Sequence, residues 1–86
     1  MEVRIEHEPG RFVARVDGFE AELVYARDGD VLDIRHTWTP PPLRGRDIAA
    51  RLTEAALAFA REHGLTIVPT CSYTRRYLAR HPQRAG

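Results

Sequence analysis

The 86-residue chain has the composition of a globular protein, with 43% hydrophobic residues, 29% charged residues and a formal net charge of +1. No apolar run approaches the ~20 residues of a membrane-spanning helix, and the amino terminus lacks the apolar centre of a secretion signal. The single cysteine, Cys71, excludes an internal disulfide and a cysteine-based zinc cluster, and the four histidines are too scattered to predict a metal site. We therefore expect one cytoplasmic domain over residues 1–86 that spans no membrane and holds no metal.

Charge is distributed unevenly along the chain. Residues 1–34 contain four Arg against nine Asp and Glu, whereas residues 35–86 contain nine Arg against three Asp and Glu. The second half is therefore the part that attracts an anion. A nucleic-acid interface is the weaker interpretation, because interleaved exposed aromatic residues are missing there and the excess charge is modest.

Four strands are predicted in the first half. Apolar and polar residues alternate over 3–8, 11–16 and 19–26, which is the period of a half-buried strand, and residues 31–38 are mostly β-branched or aromatic. Turn signals separate these segments, and the Asp17-Gly18 pair is typical of a two-residue hairpin. We expect an antiparallel meander that ends at the prolines 40–42, since proline has no amide for the ladder.

The second half predicts a β-α-β unit followed by a short helix. Apolar residues recur at helical spacing over 48–60, and Gly64 stands where a helix C-terminal glycine is common. Residues 65–68 are predicted as a buried strand and 72–80 as a short helix. A strand-helix-strand order places the fifth strand parallel to the fourth. The expected fold is mixed α+β: a four-strand antiparallel meander, a β-α-β crossover and a short C-terminal helix.

The segment between the fourth strand and the first helix has the features of an anion site. Arg44, Gly45 and Arg46 directly precede the helix, whose first amides are unpaired and carry partial positive charge. Phosphate binds at such helix ends, arginine adds attraction, and glycine allows a close backbone approach. On these residues alone, an ordinary turn is the commoner explanation.

Residues 42–49 are similar to the acetyltransferase signature Arg/Gln-x-x-Gly-x-Gly/Ala, with Arg44 in the first place and Ala49 in the last. Further matches in register occur at residues 36–37, 55–57, 69–73 and 80–82. From about residue 34 to 82 the chain thus resembles the short members of the Gcn5-related N-acetyltransferase superfamily, which keep the coenzyme-binding core and lack the first helices. The resemblance implies acetyl-CoA as cosubstrate and transfer of its acetyl group to an amine acceptor.

The resemblance also implies which residues bind the coenzyme. Its pyrophosphate is expected on Arg44, Gly45, Arg46, Asp47, Ile48 and Ala49, and its pantetheine arm along Thr37, Trp38 and Thr39. Arg75, Arg76 and Arg80 are expected to reach the 3′-phosphate, with a solvated helix face as the alternative. For Trp38, packing in the core is favoured over contact with pantetheine.

Asp47 departs from the pattern, because the family has glycine at this place. A carboxylate there repels a pyrophosphate, while the same residue favours the start of a helix as its cap or within its first turn. This departure supports an alternative function, a non-catalytic module that binds or senses acyl-CoA.

Three residues are candidates for catalysis. Cys71 follows the fifth strand, near the expected thioester, and is proposed as acyl acceptor or as the acid that protonates departing coenzyme A. A small buried hydrophobe is its structural alternative, and Arg75, Arg76 and a nearby helix N-terminus are expected to favour its thiolate. Tyr73, with Tyr77 beside it, is a second candidate proton donor, and packing is the alternative for these tyrosines. His36 is a candidate base, with an ordinary strand residue on the sheet face as its alternative.

Overall fold

A computed structural model describes residues 3–82. Within them the elements run β1 (Arg4–Glu8), β2 (Arg11–Val16), β3 (Phe19–Asp28), β4 (Val31–Trp38), a 3₁₀ turn (Pro41–Leu43), α1 (Ile48–His63), β5 (Thr66–Pro69) and α2 (Ser72–Arg80). The strands form one sheet in the order β1-β2-β3-β4-β5. Strands β1 to β4 pair antiparallel, and β5 pairs parallel with β4. The predicted mixed α+β fold is confirmed.

Residues that tolerate positive φ angles form the connections between the elements. Asp17 and Gly18 join β2 to β3 with φ of 51° and 81°, which is the positive pair that a type I′ hairpin turn requires. Gly64 ends α1 at φ 65° and donates its amide to carbonyls of the last turn, as a C-terminal glycine does. Strand β3 continues to Asp28, two residues beyond the prediction, because its end pairs with the start of β4.

The core lies between the sheet and α1. Leu23, Leu32 and Ile34 of the sheet and Leu52 of α1 are fully buried in one cluster. Each such side chain stabilises the fold by about 1.5–3 kcal/mol relative to its exposed state. The cluster fixes the sheet face on which α1 lies and thereby the position at which the chain enters the helix.

Strand β4 contains an irregularity close to the point where the sheet opens. Val24 is paired with His36 and Tyr25 with Ile34, so Arg35 is an extra, bulged residue. Pairing between β4 and β5 ends close by, at Ile34 and Pro69. Beyond this point the two strands have no shared ladder, and a cleft separates their carboxyl ends.

Two findings bear on membrane spans and metal groups in the described part of the chain. No helix in residues 3–82 is long and apolar enough to cross a membrane. Among the same residues, no group of three or more His, Cys, Asp or Glu side chains is arranged to hold a metal ion. The cytoplasmic location and the single domain over residues 1–86 stay predictions.

Candidate active site

The loop before α1 is anchored at both ends and exposed between them. Leu43 and Ile48 are each 1% exposed and belong to the core cluster. The residues between them are exposed, and Gly45 has a φ of 79°. A side chain at Gly45 would meet no neighbouring atom, so the glycine is required here by its backbone conformation. The two anchors therefore hold an exposed loop against the first turn of α1.

This loop presents unpaired backbone amides. The first intrahelical bond of α1 runs from the Arg51 amide to the Asp47 carbonyl (3.1 Å). Within residues 3–82, the amides of Gly45 and of residues 48–50 donate no hydrogen bond to another protein atom. Amides at a helix start attract anions through their N–H groups and the helix dipole.

Asp47 occupies the helix N-cap position, as predicted, yet its side chain makes no capping bond. Its backbone has φ 60° and ψ 22°, the left-handed region. An ordinary N-cap residue is extended and aims its side chain at the second or third helical amide, which this backbone does not favour. The position therefore requires a conformation that glycine adopts most easily and that Asp tolerates better than most residues.

The opening between β4 and β5 is a hollow of about 530 Å³. A second hollow of about 270 Å³ lies over the start of α1. Both are lined by Thr39, Arg44, Ala49 and Tyr73, so they form one groove from the split sheet to the unpaired amides. The predicted site residues in its lining are His36, Thr37, Trp38, Thr39, Arg44, Gly45, Asp47, Ile48, Ala49, Cys71, Tyr73 and Arg76.

Arg46 is the predicted site residue that lines neither hollow. Its guanidinium lies 3.4 Å from the carboxylate of Asp17, in the hairpin turn between β2 and β3. Arg46 thus turns away from the groove, whereas Arg44 faces it.

Cys71 lies at the end of the cleft and at the N-cap of α2. It is 8% exposed, its amide donates to the Ile34 carbonyl (2.8 Å), and its Sγ lies 3.7 Å from the Thr37 hydroxyl. Burial alone would raise the pKa of the thiol. The Thr74 amide, the Thr37 hydroxyl and the Tyr73 amide outweigh burial and lower that pKa below its ordinary value.

The amides at the start of α2 lower the thiol pKa, as expected, whereas the expected effect of Arg75 and Arg76 is not among its causes. Arg75 donates to the carbonyls of Pro69 (3.1 Å) and Thr70 (2.7 Å) and so ties α2 to the end of β5. The Thr70 hydroxyl in turn donates to Asp33 of β4 (2.5 Å). Arg75 and this cross-strand bond hold the segment that carries Cys71. No local pattern signals such a role, since the bonded carbonyls lie five and six residues back along the chain.

Trp38 corrects another expectation, since it does not fill the core. It is 45% exposed, and the Arg44 guanidinium lies 5.3 Å from the centre of its ring. The Arg44 Nε also donates to the Thr39 carbonyl (3.0 Å). The Arg35 bulge explains the placement, because Thr37 pairs with buried Leu23 while Trp38 pairs with Glu22 and points to the opposite face.

Tyr73 and His36 differ in their surroundings. Tyr73 is half-buried, and burial, followed by Tyr77 and Asp47, raises the pKa of its phenol, against the opposing effect of Arg80 and Arg76. The phenol therefore stays protonated and able to donate. His36 is exposed on β4 and lines the cleft.

A mixed sheet whose fourth and fifth strands separate beside a helix start defines the acetyltransferase class of fold. A GCN5-like protein from Staphylococcus aureus, solved by NMR, has this fold: its TM-score is 0.73 at 24% identity, covering 94% of this chain and 82% of the other. The family model for the GCN5-related N-acetyltransferases matches residues 11–85. Protein NATD1 of Homo sapiens is 38% identical over 93% of this chain and 75% of its own length, and Protein NATD1 of Gallus gallus is 36% identical over 93% and 77%. The chain belongs to the GCN5-related N-acetyltransferase family.

Proposed function

We propose that the chain, as a single domain, is an acetyl-CoA-dependent N-acetyltransferase that binds the coenzyme pyrophosphate at the start of α1. The observation that carries the proposal is the set of unpaired amides at Gly45 and residues 48–50, at the mouth of the groove. Family membership supports acetyl-CoA as the cosubstrate. The Arg44 side chain lines both hollows of this groove and adds positive charge near the phosphates.

The pantetheine arm enters the cleft between β4 and β5. Past Ile34 the edge of β4 that faces β5 has no strand partner. Pantetheine carries amide groups, which pair with residues 37–39 as an added strand pairs with an exposed sheet edge. This orientation brings the thioester toward Cys71 and leaves Trp38 exposed beside the arm.

Two routes for acetyl transfer are compatible with Cys71. In the direct route the amine attacks the thioester carbonyl, and the Cys71 thiol gives its proton to the departing coenzyme A thiolate. In the covalent route the Cys71 thiolate attacks that carbonyl and displaces coenzyme A as thiolate, and the amine then takes the acetyl group from Cys71. The lowered thiol pKa favours the covalent route. His36 is the proposed base for the amine, and Tyr73 an alternative proton donor.

A non-catalytic acyl-CoA-binding or sensing module is the alternative. Asp47 favours it, because a departure from the family's glycine at this place is expected of a member that has drifted from catalysis.

Intact-protein mass spectrometry after incubation with acetyl-CoA, with melting temperatures recorded alongside, tests these proposals. A gain of one acetyl group that Cys71→Ala abolishes supports the covalent route. A raised melting temperature, no adduct and no acetylation of a panel of amines support the binding module. No rise in melting temperature at saturating acetyl-CoA contradicts both functions. Cys71→Ser is the matched control, since it keeps the size of the side chain.

A further inference from the structure

A separate hollow lies toward the other end of α1 from the groove. It has a volume of about 640 Å³, and His7, Tyr25 and Phe59 line it; we call it the aromatic hollow. Phe59 lies about 16 Å along α1 from Ile48, because an α-helix rises about 1.5 Å per residue. None of the residues that line the aromatic hollow lines the groove. Its volume is within the range of small-molecule sites.

The walls of the aromatic hollow present ring surfaces. The His7 ring stacks on Phe12 with centres 4.1 Å apart, and the Phe59 ring stands edge-on to His7 at 4.7 Å. His7 Nε2 and the Tyr25 hydroxyl share a hydrogen bond. Burial, followed by the charge of His63, lowers the pKa of His7, so its ring is neutral at pH 7. The polar atoms of the two rings therefore satisfy each other, and the rings are available for stacking.

The rim of the aromatic hollow carries one cation without an acidic partner. Arg27 is exposed, lines the hollow, and places its guanidinium carbon 5.8 Å from the centre of the Phe59 ring. Within residues 3–82 it forms no ion pair with an acidic side chain. Glu8, the acid in the lining, is bound by two arginines of β2. Asp28 follows Arg27 in β3 and faces the other side of the sheet, because side chains alternate along a strand.

We propose that the aromatic hollow binds a small planar aromatic carboxylate, with its ring against His7, Tyr25 and Phe59 and its carboxylate on the Arg27 guanidinium. A carboxylate matches the fork of a single guanidinium. A flat ring gains from offset or edge contacts with the three rings of the wall. A cationic ligand is disfavoured, because Arg27 already occupies the cation–π position on Phe59. This site is distinct from the proposed coenzyme groove and goes beyond the acetyltransferase function.

Titration of the full chain with three small probes, followed by ¹⁵N NMR, tests the inference. Benzoate carries the ring and the charge, cyclohexanecarboxylate lacks the aromatic ring, and benzamide lacks the charge. Benzoate is expected to shift the amides of Gly10, Ala26 and Arg27 with a dissociation constant of about 1 mM, as suits a ligand of its size. It should bind about threefold tighter than cyclohexanecarboxylate and about tenfold tighter than benzamide.

Two variants assign these preferences to residues. Arg27→Gln should abolish the preference for benzoate over benzamide, and its exposed position leaves the fold intact. Phe59→Leu keeps an apolar side chain and should reduce the preference for benzoate over cyclohexanecarboxylate. Arg61→Gln, an exposed position in the last turn of α1, is the matched control and should keep both preferences.

The outcomes are independent of acetyl-CoA, because no coenzyme is added. A benzoate titration that does not saturate, or equal affinities for the three probes, overturns the site. Saturable shifts confined to residues 45–50 also overturn it, since the anion then lies at the unpaired amides of the groove. A tenfold preference over benzamide that persists in Arg27→Gln overturns the assignment of the carboxylate to that residue. In each of these cases the proposed acetyltransferase function stands or falls on its own experiment.

Discussion

Replacing Asp47 separates the effect of its charge from the effect of its backbone. Asp47→Asn removes the carboxylate and keeps the size and the tolerance of the left-handed region, whereas Asp47→Gly also relieves the positive φ of 60°. Two unit charges about 6 Å apart in water repel by about 0.7 kcal/mol. Against the two charges of a pyrophosphate the penalty is about 1.4 kcal/mol, which is about tenfold in affinity. Both variants should therefore bind coenzyme A about tenfold tighter at low salt.

Calorimetric titration at low and at physiological ionic strength measures this gain, and urea unfolding measures the backbone effect. The gain should shrink with salt, because Asp47 is exposed and its charge is screened. Asp47→Gly should change the free energy of unfolding by less than about 1 kcal/mol, since relief of the left-handed strain is offset by the greater freedom of the unfolded chain. Equal or weaker binding in both variants would refute the placement of the pyrophosphate beside Asp47.

Three further predictions concern other parts of the molecule. Thr37→Val should move the pH profile of Cys71 alkylation to higher pH, because the Thr37 hydroxyl, 3.7 Å from Sγ, helps to lower the thiol pKa. Thr37→Ser keeps a hydroxyl and should keep the wild-type profile. A Thr37→Val profile at the wild-type pH would contradict the effect of this hydroxyl on the thiol. Burial, followed by the charge of His63, lowers the pKa of His7, so the folded state resists protonation and stability is lost as the pH falls below about 6.5. Between pH 7.5 and pH 5.5 the urea midpoint of unfolding should therefore fall more for the wild-type protein than for His7→Gln. An equal fall in both proteins would contradict the assignment of this pH dependence to His7. Arg75→Gln should lower the melting temperature by about 4–8 °C, which corresponds to about 1 kcal/mol for its two hydrogen bonds to carbonyls. Arg76→Gln should leave the melting temperature unchanged. An equal decrease in both variants would contradict the structural role assigned to Arg75.

The meander and the β-α-β unit follow from local patterns in the sequence. Period-two alternation predicts β2 at the bounds observed, β-branched and aromatic content does the same for β4, and residues 72–80 form α2 as predicted. The Asp17-Gly18 pair predicts its hairpin because both residues tolerate positive φ. These features were predictable because each depends on residues adjacent along the chain.

The parts of the site that depend on tertiary contacts were not predictable in this way. The bulge at Arg35 reverses the faces of His36 and Trp38, and nothing in the alternation of β4 signals it. The conformation of Asp47 and the engagement of Arg75 likewise depend on where the chain must turn and which carbonyls remain unpaired. Sequence similarity located the groove residues, while the structure distinguishes Arg44, which faces the groove, from Arg46, which pairs with Asp17.

Amide chemical-shift mapping by ¹⁵N NMR during titration with acetyl-CoA tests the central claim most directly. The account predicts that the largest changes fall on Gly45 and residues 48–50, whose amides have no protein acceptor within residues 3–82. The amide of Gly10, which lies in the turn between β1 and β2 at another hollow of the molecule, should stay unchanged. Saturation with acetyl-CoA that leaves the amides of 45–50 at their free positions would contradict it.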